Sequence, residues 1–299
     1  MLSRCIAAVL VAMSAVPAVA QQPAKLKAVA SFSILADLVR NVGGERIEIV
    51  ALVGPDADAH AFAPTPAHAR IAAEANLIFV NGLGFEGWMT RLIKAAGSSA
   101  NTVATATGVK PVKTDEQKRG HSHSATDPHA WQSVANAKIY VSNIRDALVK
   151  ADPAGKQTYE ANAKAYAEKL DALEAEVRAD VARIPADRRR IITSHDAFGY
   201  FAASYSVQFI APRGVSTETE ASAKDVARII TQIKTQKIPA VFLENVSSAR
   251  LMEQIARETG ARIGGKLYSD ALSGPDGPAP TYIEMMRHNV RQLGSALTG

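Results

Sequence analysis

Asp152-Pro-Ala-Gly-Lys-Gln-Thr-Tyr159-Glu-Ala-Asn-Ala-Lys-Ala-Tyr166-Ala-Glu-Lys-Leu170-Asp-Ala-Leu173-Glu-Ala-Glu-Val177-Arg-Ala-Asp-Val181-Ala-Arg-Ile184-Pro185 is the stretch on which the fold turns. Tyr159, Tyr166, Leu170, Leu173, Val177, Val181 and Ile184 follow at steps of seven, four, three, four, four and three, which is one face of an α-helix. Asp152 is a favoured N-cap, Pro153 suits the first helical position, and Pro185 stops the run. About 30 residues rising ~1.5 Å each give roughly 45 Å, longer than one small domain is wide. The heptads are too few for a coiled coil. The stretch reads as a rigid strut running along two domains.

The 299 residues leave room for two compact domains. On the N-terminal side, Leu26 to Ser31, Ile47 to Val53 and Leu77 to Val80 read as strands, and Ile34 to Val42 as a helix closed by Gly43-Gly44. Residues 110 to 128 are poor in apolar side chains and read as a loop; a helix follows from Val134 to about Lys150. On the C-terminal side, Ile191 to Thr193, Val207 to Ile210 and Ala240 to Leu243 read as strands. Ala223 to Lys237, Ser248 to Glu258 and Thr281 to Leu297 read as helices. Such alternation predicts parallel sheets covered by helices. The expected class is α/β: two α/β lobes with parallel sheets joined by one long rigid helix. The expected boundaries are 1–20 for a signal segment, 21–152 for the first lobe, 153–184 for the linking helix and 185–299 for the second lobe.

Hydrophobic residues make up 47% of the chain and charged residues 21%, which excludes a disordered chain, a collagen and a multi-span membrane protein. Lys and Arg number 34 against 29 Asp and Glu, a formal charge of +5, but the cations are scattered. The densest run, Arg188-Arg189-Arg190, directly precedes an apolar strand, so no nucleic-acid partner is expected. Arg4, the apolar run Cys5 to Val16 and Ala18-Val19-Ala20 ahead of Gln21 have the layout of a cleaved secretory signal. The run is too short to span a bilayer comfortably. The single cysteine, Cys5, lies ahead of that run, where a lipid-anchoring cysteine would follow it. The mature chain is therefore expected to be periplasmic, without lipid anchor, disulfide or thiolate ligand. Any metal site has to use imidazoles and carboxylates.

Seven histidines remain to be placed: His60, His68, His121, His123, His129, His195 and His288. His60 closes Gly54-Pro-Asp-Ala-Asp-Ala-His60 after a strand, His129 sits where the polar loop meets a helix, and His195 follows the strand Ile191 to Thr193. Ligands of open α/β sheets collect beyond the carboxyl ends of strands. Spacings of 69 and 66 residues match no local metal motif, so a shared metal would be assembled from distant segments, between the lobes. Spacing does not show convergence. Taken singly, each histidine reads as a cap, a surface residue or a packed one before it reads as a ligand.

Several motifs together go further. They are Val53-Gly-Pro-Asp-Ala-Asp-Ala-His60 with Pro64-Thr65-Pro66, Asn81-Gly-Leu-Gly-Phe-Glu-Gly-Trp88, Asp127-Pro-His-Ala-Trp131, Thr193-Ser-His-Asp-Ala-Phe-Gly-Tyr200 and Tyr268-Ser-Asp-Ala-Leu-Ser273. In order and spacing, over nearly the whole mature chain, they resemble the zinc- and manganese-binding solute-binding proteins of bacterial ABC transporters, the cluster A-I type. The resemblance implies two lobes joined by a single long helix, with a metal ion bound in the cleft between them. It implies four ligands: His60, His129, His195 and Asp270. It implies a membrane permease as partner, a periplasmic zinc metallochaperone as a further one, and a monomer. Members resembling manganese carriers usually have a second carboxylate where His195 stands. Three imidazoles and one carboxylate suit four-coordinate Zn²⁺, whereas manganese prefers more oxygen, so zinc is the expected cargo and manganese the alternative.

His121 and His123 stand where zinc members carry a longer histidine-rich loop, and the short version here is closer to the AztC type than to the ZnuA type. The pair is a candidate for auxiliary metal capture, with a solvated loop as the other reading. His68 and His288 read as packing or surface residues, and Trp88 and Trp131 as packing residues. Glu244, at the end of the strand Val241 to Leu243, is a candidate for orienting a ligand histidine through its free ring N–H. Asp127 and Asp196 adjoin ligand histidines and invite the same reading, with helix capping in competition. No nucleophile elbow or general base is evident, so an enzyme is not expected; a zinc hydrolase would need an open metal position, which four protein ligands close. A carrier of an organic ligand such as a siderophore is the third class.

Overall fold

A computed structural model describes residues 24–114 and 126–298. The expected signal at 1–20 and the His121/His123 pair lie outside the described residues.

The first lobe is built from β1 (Leu26–Phe32), α1 (Ser33–Gly43), β2 (Ile47–Val53), α2 (Pro66–Glu74), β3 (Leu77–Val80), α3 (Met89–Ala96) and β4 (Asn101–Ala104). Its four strands are parallel, in the order β2-β1-β3-β4, with Ala28 opposite both Ile49 and Leu77. Leu77, Ile78 and Phe79 are buried on both faces, as an unbroken apolar run in a covered parallel sheet should be.

Two helices then pair: α4 (Val134–Ala151) and α5 (Lys156–Ala182). The strut starts later and stops sooner than the proline boundaries suggest. Pro153–Gly155 forms a 3₁₀ turn, with the Asp152 side chain accepting from the Gly155 N–H. The same carboxylate takes Arg46 Nη2 at 2.7 Å and the Tyr159 hydroxyl at 2.7 Å, so Asp152 ties the turn just before β2 to the helix as well as capping. Twenty-seven residues still give about 40 Å. The buried face is Tyr159, Ala163, Tyr166, Leu170, Leu173, Val177 and Val181. The helix packs against α1, α4 and the last helix, α9 (Tyr282–Leu297).

The second lobe repeats the first in plan: β5 (Arg190–Ile192), α6 (Gly199–Tyr205), β6 (Gln208–Ile210), α7 (Ala223–Gln236), β7 (Ala240–Glu244), α8 (Arg250–Thr259), β8 (Arg262–Leu267) and α9 (Tyr282–Leu297). Its strands are again parallel, in the order β6-β5-β7-β8, the same 2-1-3-4 sequence as the first sheet. The edge strands β4 and β8 carry little apolar pattern. β8 holds Gly264, where a Cβ would meet the Phe242 ring at 2.5 Å, and the ladder bulges between Val241 and Leu243.

One hydrophobic core runs from β1 through α4 and α5 to α9, so the lobes share it. A smaller cluster under α7 and α8 belongs to the second lobe alone. The carboxyl ends of β2, β5, β7 and β8 lead into the segments that hold the candidate site. Among the described residues no helix is long and apolar enough to cross a membrane.

Candidate metal centre

Each candidate ligand is fixed by its own neighbours before it meets the others. His60 sits in the loop after β2, its backbone N–H donating to Asp58 Oδ1 at 2.9 Å. The Trp88 indole N–H donates to the Ala59 carbonyl at 2.8 Å, and the His60 ring stands edge-on to Phe85 at 4.6 Å. His129 precedes a 3₁₀ turn, Ala130–Gln132; Asp127 Oδ1 accepts its backbone N–H at 2.9 Å and lies 2.7 Å from its Nδ1. That contact leaves Nε2 as the free, lone-pair nitrogen of the ring.

His195 follows β5, and its Nδ1 lies 2.6 Å from Glu244 Oε2. Glu244 Oε1 accepts the backbone N–H groups of Ser194 and His195 at 2.7 and 3.0 Å. Asp270 comes three residues after β8. The preceding carbonyl, Ser269 O, accepts from Trp131 Nε1 at 2.9 Å and Gln132 Nε2 at 2.7 Å. Both tryptophans are packing residues, as read from the sequence, but each also clamps the backbone beside a candidate ligand.

These four side chains converge. His60, His129, His195 and Asp270 each bring one ligand atom within 4.8 Å of all the others, and all four are buried. The Nε2 atoms of His60 and His129 are 3.2 Å apart. Asp270 Oδ2 is 3.4 Å from His60 Nε2 and 3.1 Å from His195 Nε2; Oδ1 is 3.4 Å from His129 Nε2. Both Asp270 oxygens, both His195 ring nitrogens and Glu244 Oε2 are fully buried, in close contact but without a well-aligned hydrogen bond. Buried polar atoms left that way are costly, and a cation between the Asp270 oxygens and His195 Nε2 removes the cost there.

The electrostatics follow from the same contacts. Burial disfavours the charged His195 ring, but Glu244 and Asp270 outweigh it and raise its pKa well above the ordinary 6.5. Burial would raise Asp270, yet His195 and His129 hold it well below the usual carboxylate range. Burial also opposes the Glu244 charge, and His195 keeps its pKa low all the same. His60 behaves oppositely: burial dominates and lowers it, so its ring stays neutral.

A profile for the zinc-uptake complex component A, periplasmic, matches residues 28–296. The chain belongs to this family. The iron-binding protein YfeA of Yersinia pestis is 39% identical over 266 residues, 89% of this chain and 84% of its own. The manganese-binding lipoprotein MntA of Halalkalibacterium halodurans is 34% identical over 273 residues, 91% of this chain and 89% of its own. Among solved structures, the periplasmic zinc-binding protein TroA of Treponema pallidum superposes with a TM-score of 0.85 at 30% identity, covering 92% of this chain and 100% of its own. The manganese-bound periplasmic metal-binding protein of Candidatus Liberibacter asiaticus gives 0.82 at 30%, covering 91% and 100%. These two solved structures thus share the fold described here, while the metals named for the relatives differ.

The other two described histidines, His68 and His288, stand apart from the cluster. His68 Nδ1 accepts the Thr65 N–H at 2.9 Å in a capping box on α2, and His288 Nε2 is 2.9 Å from the Lys266 carbonyl. Two neighbours of the site are not singled out by the sequence, although Gly199 lies within the quoted Thr193–Tyr200 motif. Gly199 lies so close to Asp127 that a Cβ would stand 2.3 Å from its Oδ2. Thr217, from the second lobe, donates to Asp58 Oδ2 at 2.6 Å. Both are meetings of segments far apart in the chain.

Proposed function

We propose that this zinc-uptake component A protein captures Zn²⁺ in the periplasm, holds it between the lobes through His60, His129, His195 and Asp270, and hands it to a membrane permease. The coarse role, metal capture for an ABC importer, follows from the family and from relatives named as substrate-binding proteins of metal ABC transporters. The choice of zinc rests on the donor set. Zn–N bonds of about 2.0–2.1 Å in a tetrahedron put ligand atoms about 3.3–3.4 Å apart. Four of the separations, 3.1, 3.2, 3.4 and 3.4 Å, lie near that spacing, within a set whose ligand atoms all come within 4.8 Å of one another.

Manganese or iron is the second reading. Both Asp270 oxygens face imidazoles, so a bidentate carboxylate would supply a fifth donor and suit a harder ion. MntA and YfeA, named for those metals, support it. A hydrolase is disfavoured because four buried donors leave no open position for water. An organic cargo is disfavoured because His129, His195 and Asp270 are wholly buried with their donor atoms in mutual contact. Glu244 and Asp127 orient His195 and His129. A cleaved signal at 1–20, auxiliary capture by His121 and His123, loading by a metallochaperone and a monomeric state complete the proposal.

The test is a competition titration of metal-stripped protein with Zn²⁺, Mn²⁺ and Fe²⁺ against a chelating dye, beside His195→Ala. One tight zinc equivalent with weak manganese and iron, lost in the variant, is the expected result. Tight manganese with weak zinc would move the cargo assignment to the second reading.

A further inference from the structure

The two walls of the metal cleft are built differently. On one side the second lobe's Asp270 segment is moored to the first lobe. Ser269 O accepts from Trp131 and Gln132, Leu272 N–H donates to Ser33 Oγ at 3.0 Å, and Leu272 O accepts from Asp56 N–H at 2.9 Å. Further along, the Tyr282 N–H donates to Asp37 Oδ2 at 2.9 Å. Asp270 therefore sits with His60 and His129 on one hydrogen-bonded body, although its chain comes from the other lobe.

The opposite wall is a strap, residues 211–222, which leaves β6 at Ile210 and enters α7 at Ala223 with no helix or strand of its own. Inside it, Asp196 N–H donates to Gly214 O at 3.1 Å, which ties the strap to the His195 segment. Thr217, nearly buried, grips the first lobe: its hydroxyl donates to Asp58 Oδ2 at 2.6 Å. Asp58 Oδ1 accepts the His60 N–H, so one carboxylate joins the strap to a ligand loop. Beneath lies a cavity of about 330 Å³ that opens beside His60, Gly84 and Phe85 on one side and Val215, Ser216 and Glu218 on the other.

We propose that the Thr217–Asp58 hydrogen bond is the latch of this cleft: it holds the strap down over His60 and sets how fast a bound metal ion leaves. Thr217 and Asp58 act as positioning residues and touch no metal themselves. The proposal rests on the metal-centre reading above. The moored wall keeps three donors together while the strap and His195 swing, so breaking the latch accelerates exchange without dismantling the fold.

The test is stopped-flow release of Zn²⁺ to excess chelator from the loaded full-length mature protein. It compares the parent, Thr217→Val and Thr217→Ser, with thermal unfolding of each metal-free form. A hydrogen bond to a charged group is worth enough to predict release about tenfold faster or more in Thr217→Val. Near-parental release in Thr217→Ser and unchanged metal-free melting in both variants complete the expected pattern. Release from Thr217→Val within twofold of the parent overturns the latch. So does faster release accompanied by a matching loss of metal-free stability in both variants, which makes Thr217 merely structural. A parent that retains no metal, or His195→Ala that retains it as tightly, overturns the metal centre itself.

Discussion

Glu244 and His195 form a buried pair, Oε2 to Nδ1 at 2.6 Å, whose carboxylate also takes the backbone N–H groups of Ser194 and His195. The pair fixes the ring and raises its basicity, as outer carboxylates do for metal-bound histidines. Glu244→Gln keeps the shape and removes the charge. Zinc affinity should fall about 10- to 100-fold, the usual cost of losing such a partner. The check is a dye competition titration, with circular dichroism confirming the fold. Unchanged affinity would reduce Glu244 to a strand-end anchor.

The proton on His195 gives a second expectation. In the metal-free protein its pKa stands well above 6.5, because Glu244 and Asp270 together outweigh burial, so at neutral pH the ring is charged. A metal ion has to displace that proton. Binding at pH 7 should release close to one proton per ion, and affinity should go on rising with pH beyond 7 instead of levelling near 6.5. Calorimetry in buffers of different ionisation heat reads the proton count directly. A raised folded-state pKa also means that the stabilisation is complete below about pH 6.5 and is lost as pH rises through the raised value. Asp270 runs the other way: its contribution is present above about pH 3.8 and is lost as pH falls through its depressed value. Zinc binding at pH 7 with no proton released would contradict the charged His195.

Gly199→Ala tests the close approach of the lobes behind the site. The new methyl would stand 2.3 Å from Asp127 Oδ2, in the carboxylate that orients His129. Asp127 has to shift, and zinc affinity should drop about 10- to 100-fold with no donor atom removed. Pairing it with Asp127→Asn in a double-mutant cycle should show non-additive losses. Full additivity would mean that the glycine acts elsewhere.

The long helix carries a stability prediction. Leu173 is fully buried on the face that α5 turns to both lobes. Leu173→Ala should cost about 2–5 kcal/mol in urea unfolding. Because one core runs through both lobes, the loss should shift a single transition. Two separated transitions, with only one displaced, would show lobes that unfold independently.

Much of this architecture was legible in the residue order. The 3.6-residue spacing from Tyr159 to Val181 announces α5, and strands such as Ile47–Val53 and Leu77–Val80 fall where the apolar runs place them. The edges were harder to read. β4, Asn101–Ala104, is mostly exposed, and β8 is broken by Gly264-Gly265, so neither shows the pattern of a covered strand. Among candidate ligands, His60, His129 and His195 each stand at a strand end or loop edge, which local pattern alone can show. Asp270 has no such mark: it looks like any loop carboxylate, and only the motif resemblance singled it out.

Sequence alone therefore determined the α/β class, the strut, and which side chains had the chemistry to meet a metal ion. Those features depend on periodicity and residue type, which are local. The tertiary structure alone decided that four donors 69, 66 and 75 residues apart come within 4.8 Å of one another, that Asp270 is moored to the opposite lobe, and that Thr217 reaches Asp58 across the cleft. Each is a contact between segments remote in the chain, set by how two sheets pack on a shared helix, and no short window of sequence encodes that distance.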